Sequence, residues 1–267
     1  MKMKLLFDTK RLNKGFSVSL WKCVDLIKET KSTNTELLTK AASGVNIEGY
    51  VLLANYQNSG RGQNGKVWIT HPSSQITISF GIDISSISTN HWGWLPLISG
   101  LAVIDTLREI TGVKFRLKWP NDVLGGSNNE KLAGILTEVS ISSSTIVIGI
   151  GINVSIAPKE MLGLKATSLK QLGSELLDRI IIVQKLLYKM HVWINLWKDS
   201  NPSIIKYYTR YSITIGSLVC VTLKNKSKLV GEAIGLDKSG GLIINTKDSK
   251  VTVFSGSVKH LRLNKLF

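Results

Sequence analysis

Hydrophobic and polar positions run along the chain in two rhythms. The apolar run YVLLANYQ, from Tyr50 to Gln57, reads as a buried strand, and QITISFGID, from Gln75 to Asp83, alternates with the period of a strand. From about Trp92 to Thr111 the apolar positions fall at helical spacing, which predicts a helix ending at Gly112. VKFRLKW alternates again and stops at Pro120; KLAGILTEVS and STIVIGIGINV predict two further strands joined by a Ser-rich turn. Ser174 to Trp197, SELLDRIIIVQKLLYKMHVWINLW, has the pattern of a long amphipathic helix. STNTELLTKAA predicts another helix, with Thr33 as N-cap and Glu36 at capping-box spacing. Strands that are mostly neighbours in sequence, with helices between them, give an α+β class.

After Tyr211 the texture changes. GSLVCVTL, KLVGEAIGLD, GGLIINT, KVTVFSG and SVKHLRL are short strands at regular spacing, separated by Gly, Asn and Asp turns, the signature of a small all-β barrel. The expected division is 1–212 and 213–267.

Composition narrows the classes. At 267 residues, 43% hydrophobic and 19% charged, the chain has ample material for a core. No apolar stretch approaches the roughly 18–20 residues of a membrane span, and the N-terminus lacks the pattern of a signal peptide. Cys23 and Cys220 are far apart and outside any CxxC pattern, so a disulfide framework and a zinc site are not expected and a cytoplasmic location fits. The net charge of +16 is scattered along the chain rather than gathered in a tract, and Phe254 is the one aromatic between Tyr211 and Phe267. That leaves the C-terminal strands without the stacking platforms of a nucleic-acid binder, and DNA is not an expected partner.

Chemistry concentrates in a few stretches. NSGRGQNGKVW places Gly60, Gly62 and Gly65 among Arg61 and Lys66, either an anion-binding loop or a surface hairpin with solvated charges. KWPNDV sets Lys118, Asn121 and Asp122 around a proline, and KLAGIL begins with Lys131 followed by the small residues Ala133 and Gly134. Gly149 and Gly151 in GIGIN sit inside an apolar strand, where glycine implies a bulge or the close approach of a ligand or backbone.

Taken in order, STN, QNSGRGQNGKVW, KWPND, KLAGIL, GIGIN and the closing SGSVKHLRL resemble the biotin–protein ligase family from Lys31 to the C-terminus. The resemblance implies a mixed-sheet, class II synthetase-like biotin/lipoate ligase catalytic domain followed by an SH3-like β-barrel. It implies a form without an N-terminal DNA-binding domain, and it leaves a homodimer open. The implied reaction activates biotin with ATP as biotinyl-5′-AMP, with Mg²⁺, and transfers the acyl group to a lysine of a biotin carboxyl carrier domain. A lipoyl or octanoyl ligase or transferase on the same fold is the alternative.

The implied biotin site comprises Ser32, Thr33, Asn34 and Gln57, the loop residues Gly60, Arg61 and Gly62, and Lys131 with Gly134. The implied adenylate site comprises Arg61, Gln63, Gly65, Lys66 and Trp68, with Asn121, Lys131 and Asn153. Lys131, Asp122 and Arg61 would carry the chemistry, with Lys131 bridging carboxylate and α-phosphate. Asp122 has several jobs open to it: orienting Lys131 or the incoming lysine, accepting that lysine's proton, or capping the WPND bend. No carboxylate cluster identifies metal ligands. His71, His91 and His191 lie outside the motifs, and His260, in the closing strand, is assigned a surface or structural role like them. Gln63 and Lys66 stand where the family commonly has arginines, which leaves two readings open: a looser hold on the adenylate, or a neutral loop tip with Arg61 sufficing. MKMK resembles the sequence around a carrier's biotin-accepting lysine, but modification of Lys2 is not expected, because recognition also needs the carrier's folded hairpin.

Overall fold

A computed structural model describes Leu12 and residues 21–140, 144–156 and 166–261. Lys2, the Ser-rich turn at 141–143 and the last residues of SVKHLRL lie outside them. Seven strands form the main sheet: β1 (Cys23–Ile27), β2 (Tyr50–Ala54), β3 (Gln75–Asp83), β4 (Phe115–Lys118), β5 (Asp122–Gly125), β6 (Glu130–Val139) and β7 (Thr145–Asn153). Their order is β1-β2-β3-β7-β6-β5-β4, with β1 and β2 parallel and all other pairs antiparallel.

One face of this sheet carries Ile76, Ile78, Phe80, Ile135, Ile148 and Ile150 into the large core, which is completed by helices α2 (Leu95–Thr111) and α3 (Arg179–Lys198). Helix α1 (Thr33–Ala42) covers part of the other face, where Leu37 and Ala41 pack on Leu52 and Val147. A short α4 (Ser203–Tyr211) follows α3 and buries Ile204, Tyr208 and Tyr211.

Several boundaries differ from the sequence expectation. The N-cap of α1 is Ser32, whose hydroxyl accepts from the Thr35 N–H at 3.5 Å, while Glu36 instead accepts from the Thr30 hydroxyl at 2.6 Å. Thr33 is already engaged by Gln57 and cannot cap. Helix α3 starts at Arg179 rather than Ser174, because Asp178 takes the N-cap role and accepts from the Ile180 N–H at 2.9 Å. The helix ending at Gly112 is as expected, with that glycine at φ 64°, but it begins at Leu95 after a 3₁₀ turn over Thr89–Trp94.

The second sheet is antiparallel, in the order β11-β10-β9-β8-β12. Its strands are β8 (Leu218–Thr222), β9 (Lys228–Leu236), β10 (Leu242–Asn245), β11 (Lys250–Val253) and β12 (Ser257–His260), one for each stretch the sequence marked. It packs directly on the main sheet's end. The indole N–H of Trp94 donates to the Lys238 carbonyl at 2.9 Å and that of Trp119 to the Gly240 carbonyl at 3.2 Å. Val219, Val221, Ala233 and Leu242 belong to the same continuous core as β3 and β7.

Candidate active site

Register brings the chemistry together. Across the main sheet Lys118 pairs with Asp122, Asp122 with Gly134, Gly134 with Gly151 and Gly151 with Thr77, so one row of partners runs over four strand boundaries. The next row sets Leu136 opposite Gly149 and Gly149 opposite Ser79. These rows lie on the face shared with α1, and the glycines add no side chains of their own to it.

Strict alternation would send Lys131 to the opposite side from Gly134. The ladder between β5 and β6 breaks: Val123 pairs with Ala133 but Leu124 with Lys131, so Leu132 is the extra residue of a bulge. Lys131 is thereby re-aimed, and a Cβ on Gly134 would stand 3.2 Å from its Cε. Its Nζ lies 2.5 Å from Asp122 Oδ1 and 5.7 Å from the Trp68 ring centroid. Of the jobs open to Asp122, holding Lys131 is the one seen in this state.

The glycine loop folds back on itself. The Gly62 N–H donates to the Lys66 carbonyl at 2.7 Å and the Trp68 N–H to the Gly60 carbonyl at 2.9 Å. Of its three glycines only Gly65 has positive φ, 74°, and Asn64 shares the left-handed region at 56°. Gly60 is needed for another reason: a Cβ there would overlap the Trp68 carbonyl.

Trp68 lies across Gly134 and Gly151, and Asn34 presses on Gly149. The close approach expected at the strand glycines is therefore made by protein side chains. The Trp68 Nε1–H is buried over Gly151 without an acceptor.

The resulting cleft is lined on one side by Ser32, Thr33, Asn34 and Gln57. Arg61, Gly62, Gln63, Lys66 and Trp68 form its loop wall. Asn121, Asp122, Lys131 and Gly134 lie beneath, with Lys118 beside them and Ser257 and Val258 of the small sheet closing the far end. Gly60 and Gly65 face a groove on the outer side of the loop. Asn153 does not reach the cleft: it is buried, accepting from Gln75 Nε2 at 2.9 Å and donating to the Thr167 carbonyl at 3.0 Å. Asn121 lines the cleft while donating to the Ile135 carbonyl at 2.7 Å.

Two residues that no motif marked stand behind this wall rather than lining the cleft, Glu138 facing the outer groove. Ser79 is fully buried, with its hydroxyl 2.6 Å from Asn34 Oδ1 and 2.7 Å from Thr33 Oγ1. Glu138 accepts from Arg61 Nη2 at 2.7 Å and from Asn34 Nδ2 at 2.9 Å. Its sequence signal was a carboxylate on a strand, an even number of residues from Gly134 and so on the same face.

The electrostatics favour anions. Arg61, Lys66, Lys118 and Lys131 meet two carboxylates, Asp122 and Glu138. Burial holds Lys118 below the usual lysine pKa, and the neighbouring Lys131 and Lys66 charges add to this against the pull of Asp122. Among the described residues no group of three or more His, Cys, Asp or Glu is placed to hold a metal, and no helix is long and apolar enough to cross a membrane. Among the histidines, His260 on β12 approaches the Thr214 hydroxyl at 3.3 Å, and burial followed by the Lys118 charge lowers its pKa.

The chain is similar to known proteins along most of its length. Residues 26–154 match the model of the biotin/lipoate A/B protein ligase family, and 214–261 match the biotin protein ligase C-terminal domain. A biotin–[acetyl-CoA-carboxylase] ligase of Mycobacterium tuberculosis is 40% identical over 245 residues, covering 91% of this chain and 90% of that protein. The bifunctional ligase/repressor BirA of Bacillus subtilis is 29% identical, over 88% of this chain and 72% of its own length. The structure of the Aquifex aeolicus biotin protein ligase in complex with biotin and ATP superposes with a TM-score of 0.73 at 27% identity, covering 91% of this chain and 100% of that one.

Proposed function

Since the chain belongs to the biotin protein ligase family, we propose that it activates biotin with ATP and passes the biotinyl group to a lysine of a biotin carboxyl carrier domain. The observation that carries this reading is the junction of two unlike subsites on one sheet face. A wall of short polar side chains, Ser32 to Asn34 with Gln57, adjoins a basic loop and Lys131 across a glycine floor. The wall suits a neutral polar ring, whose N–H and C=O groups need partners once they leave water. The cations suit a carboxylate meeting a phosphate.

In the first half-reaction a biotin carboxylate oxygen attacks the α-phosphorus of ATP, and the bond to the bridging β-phosphate oxygen breaks to release pyrophosphate. Two anions must approach each other, so the charge that builds at the α-phosphorus needs fixed cations. Arg61, with the loop amides, and Lys131, released from Asp122, supply them. Trp68 and Asn121 flank the adenylate, with Lys66 and Gln63 at the loop tip. In the second half-reaction the carrier's uncharged lysine amine attacks the acyl carbon, AMP leaves, and Asp122 accepts the amine's proton. Mg²⁺ accompanying the nucleotide would add positive charge at the phosphates, and no residue of this chain is assigned to hold it. The second sheet, read as an SH3-like barrel over 213–267, closes the cleft with Ser257 and Val258.

An ATP–pyrophosphate exchange assay tests the reading. Exchange should depend on biotin and not be supported by octanoate or lipoate; exchange driven by either of the latter would transfer the protein to the lipoyl branch of the fold.

A further inference from the structure

The two cations assigned to the chemistry are both already neutralised. Lys131 holds Asp122, a residue of the KWPND motif, whereas Arg61 holds Glu138, which belongs to none. Glu138 Oε2 serves two donors at once, Arg61 Nη2 at 2.7 Å and Asn34 Nδ2 at 2.9 Å. Asn34 Oδ1 lies 2.6 Å from the Ser79 hydroxyl, which lies 2.7 Å from that of Thr33, and the Thr33 N–H donates to Gln57 Oε1 at 2.8 Å. One run of polar contacts therefore joins the ring wall to the guanidinium of the loop.

The geometry points to Glu138 as a counter-ion that holds Arg61 until the ligand's anion displaces it, and as the group that couples the ring wall to the anion site. This rests on the reading of the cleft as a biotin and ATP site. The pair is single-pronged and unevenly exposed, with side chains 44% exposed for Arg61 and 23% for Glu138. Such a contact shifts an equilibrium only a few-fold. A ligand carboxylate or phosphate inside the cleft offers the guanidinium a two-pronged, better desolvated partner, so the exchange runs toward the ligand. Until then Glu138 competes with the anion. Asn34 is fixed through the same oxygen, so a ring seated on the wall and an anion seated on Arg61 act on a single carboxylate.

Glu138→Gln isolates the charge, because the amide oxygen can still accept from Asn34. Calorimetric titrations would compare biotin, biotinamide (neutral where biotin is charged) and ATP on wild type, Glu138→Gln, Arg61→Ala and the double variant. Glu138→Gln should bind the displacing anion about two- to five-fold more tightly, the range of a half-exposed pair. Tighter biotin identifies the carboxylate as that anion, and tighter ATP the phosphate. Biotinamide affinity should stay unchanged, and the gain should vanish on Arg61→Ala. Biotin and biotinamide shifting together, weaker binding of both biotin and ATP, or a gain that survives Arg61→Ala would overturn the assignment. Should Glu138→Gln fail to fold, Glu138→Asp, with its carboxylate one methylene shorter, should show the same preference for the charged ligand. Wild-type protein that binds neither biotin nor ATP would contradict the functional reading, and this inference with it.

Discussion

Lys131 has a largely covered side chain whose charge serves the site. Its ammonium meets Asp122 and lies over the Trp68 ring, so its removal should cost the site far more than the fold. Lys131→Ala is expected to slow adenylate formation by about 10²–10³-fold, the scale of losing one fixed charge at a developing anion. Thermal denaturation should remain close to wild type; exchange at the wild-type rate would remove Lys131 from the chemistry. Lys118 makes a pH-dependent prediction. Burial lowers its pKa, so above that value the free protein's amine is neutral and a bound phosphate must draw in a proton. ATP affinity should therefore begin to fall as pH rises, before the ordinary lysine range is reached, and Lys118→Arg should flatten the profile. Affinity constant up to the ordinary lysine range would place Lys118 away from the phosphates. At the loop tip Gln63 is a neutral side chain that lines the cleft. Gln63→Arg should slow release of biotinyl-AMP, measured as its off-rate; identical off-rates would place the loop's grip elsewhere.

At the scale of elements, the sheet turns a glycine pattern into a site. A Cβ on Gly134 would meet the end of the Lys131 side chain and the Trp68 ring at 3.2 Å, whereas one on Gly81 would overlap the backbone carbonyl of Ile47. Gly134→Ala should leave the melting temperature within a few degrees of wild type yet raise the KM for biotin and ATP. Gly81→Ala should lower stability by about 1–3 kcal/mol while the surviving folded protein keeps its KM. Equal stability losses would mean that the cleft floor is as rigid as the core.

The same scale explains what could be read in advance. Apolar runs and alternation gave β2, β3, β4 and the strands from β6 onward, whereas the four-residue β5 was hidden in the KWPNDV bend. β1 escaped notice because CVDLI is half-buried throughout. The polar positions of β3 are not solvated, because α1 covers that face and buries Thr77 and Ser79. The motifs marked most residues that line the cleft, since glycines and lysines at fixed spacing carry local signals. Ser79 and Glu138 escaped, because only cross-strand register brings them to Asn34. Asn153, marked by GIGIN, fastens β7 to Gln75 and the Thr167 segment instead of facing the cleft.

For the whole molecule, the small sheet is part of the site's construction. Trp94 and Trp119 bond to its backbone, one core runs through both sheets, and Ser257 and Val258 form the cleft's far wall. A cleft built this way opens to solvent along the glycine loop, where Arg61 lies between the cleft and the outer groove that Lys224 also lines. A carrier lysine reaching the acyl group by that route would meet an activated intermediate held on one side by the loop and on the other by Lys131. The central claim is guided transfer to one lysine, and intact-mass analysis tests it most directly. The protein would be incubated with biotin, ATP, Mg²⁺ and a carboxylase carrier domain. One biotinyl increment on the carrier, confined to a single lysine and absent without ATP, is the predicted result; an unmodified carrier would contradict it.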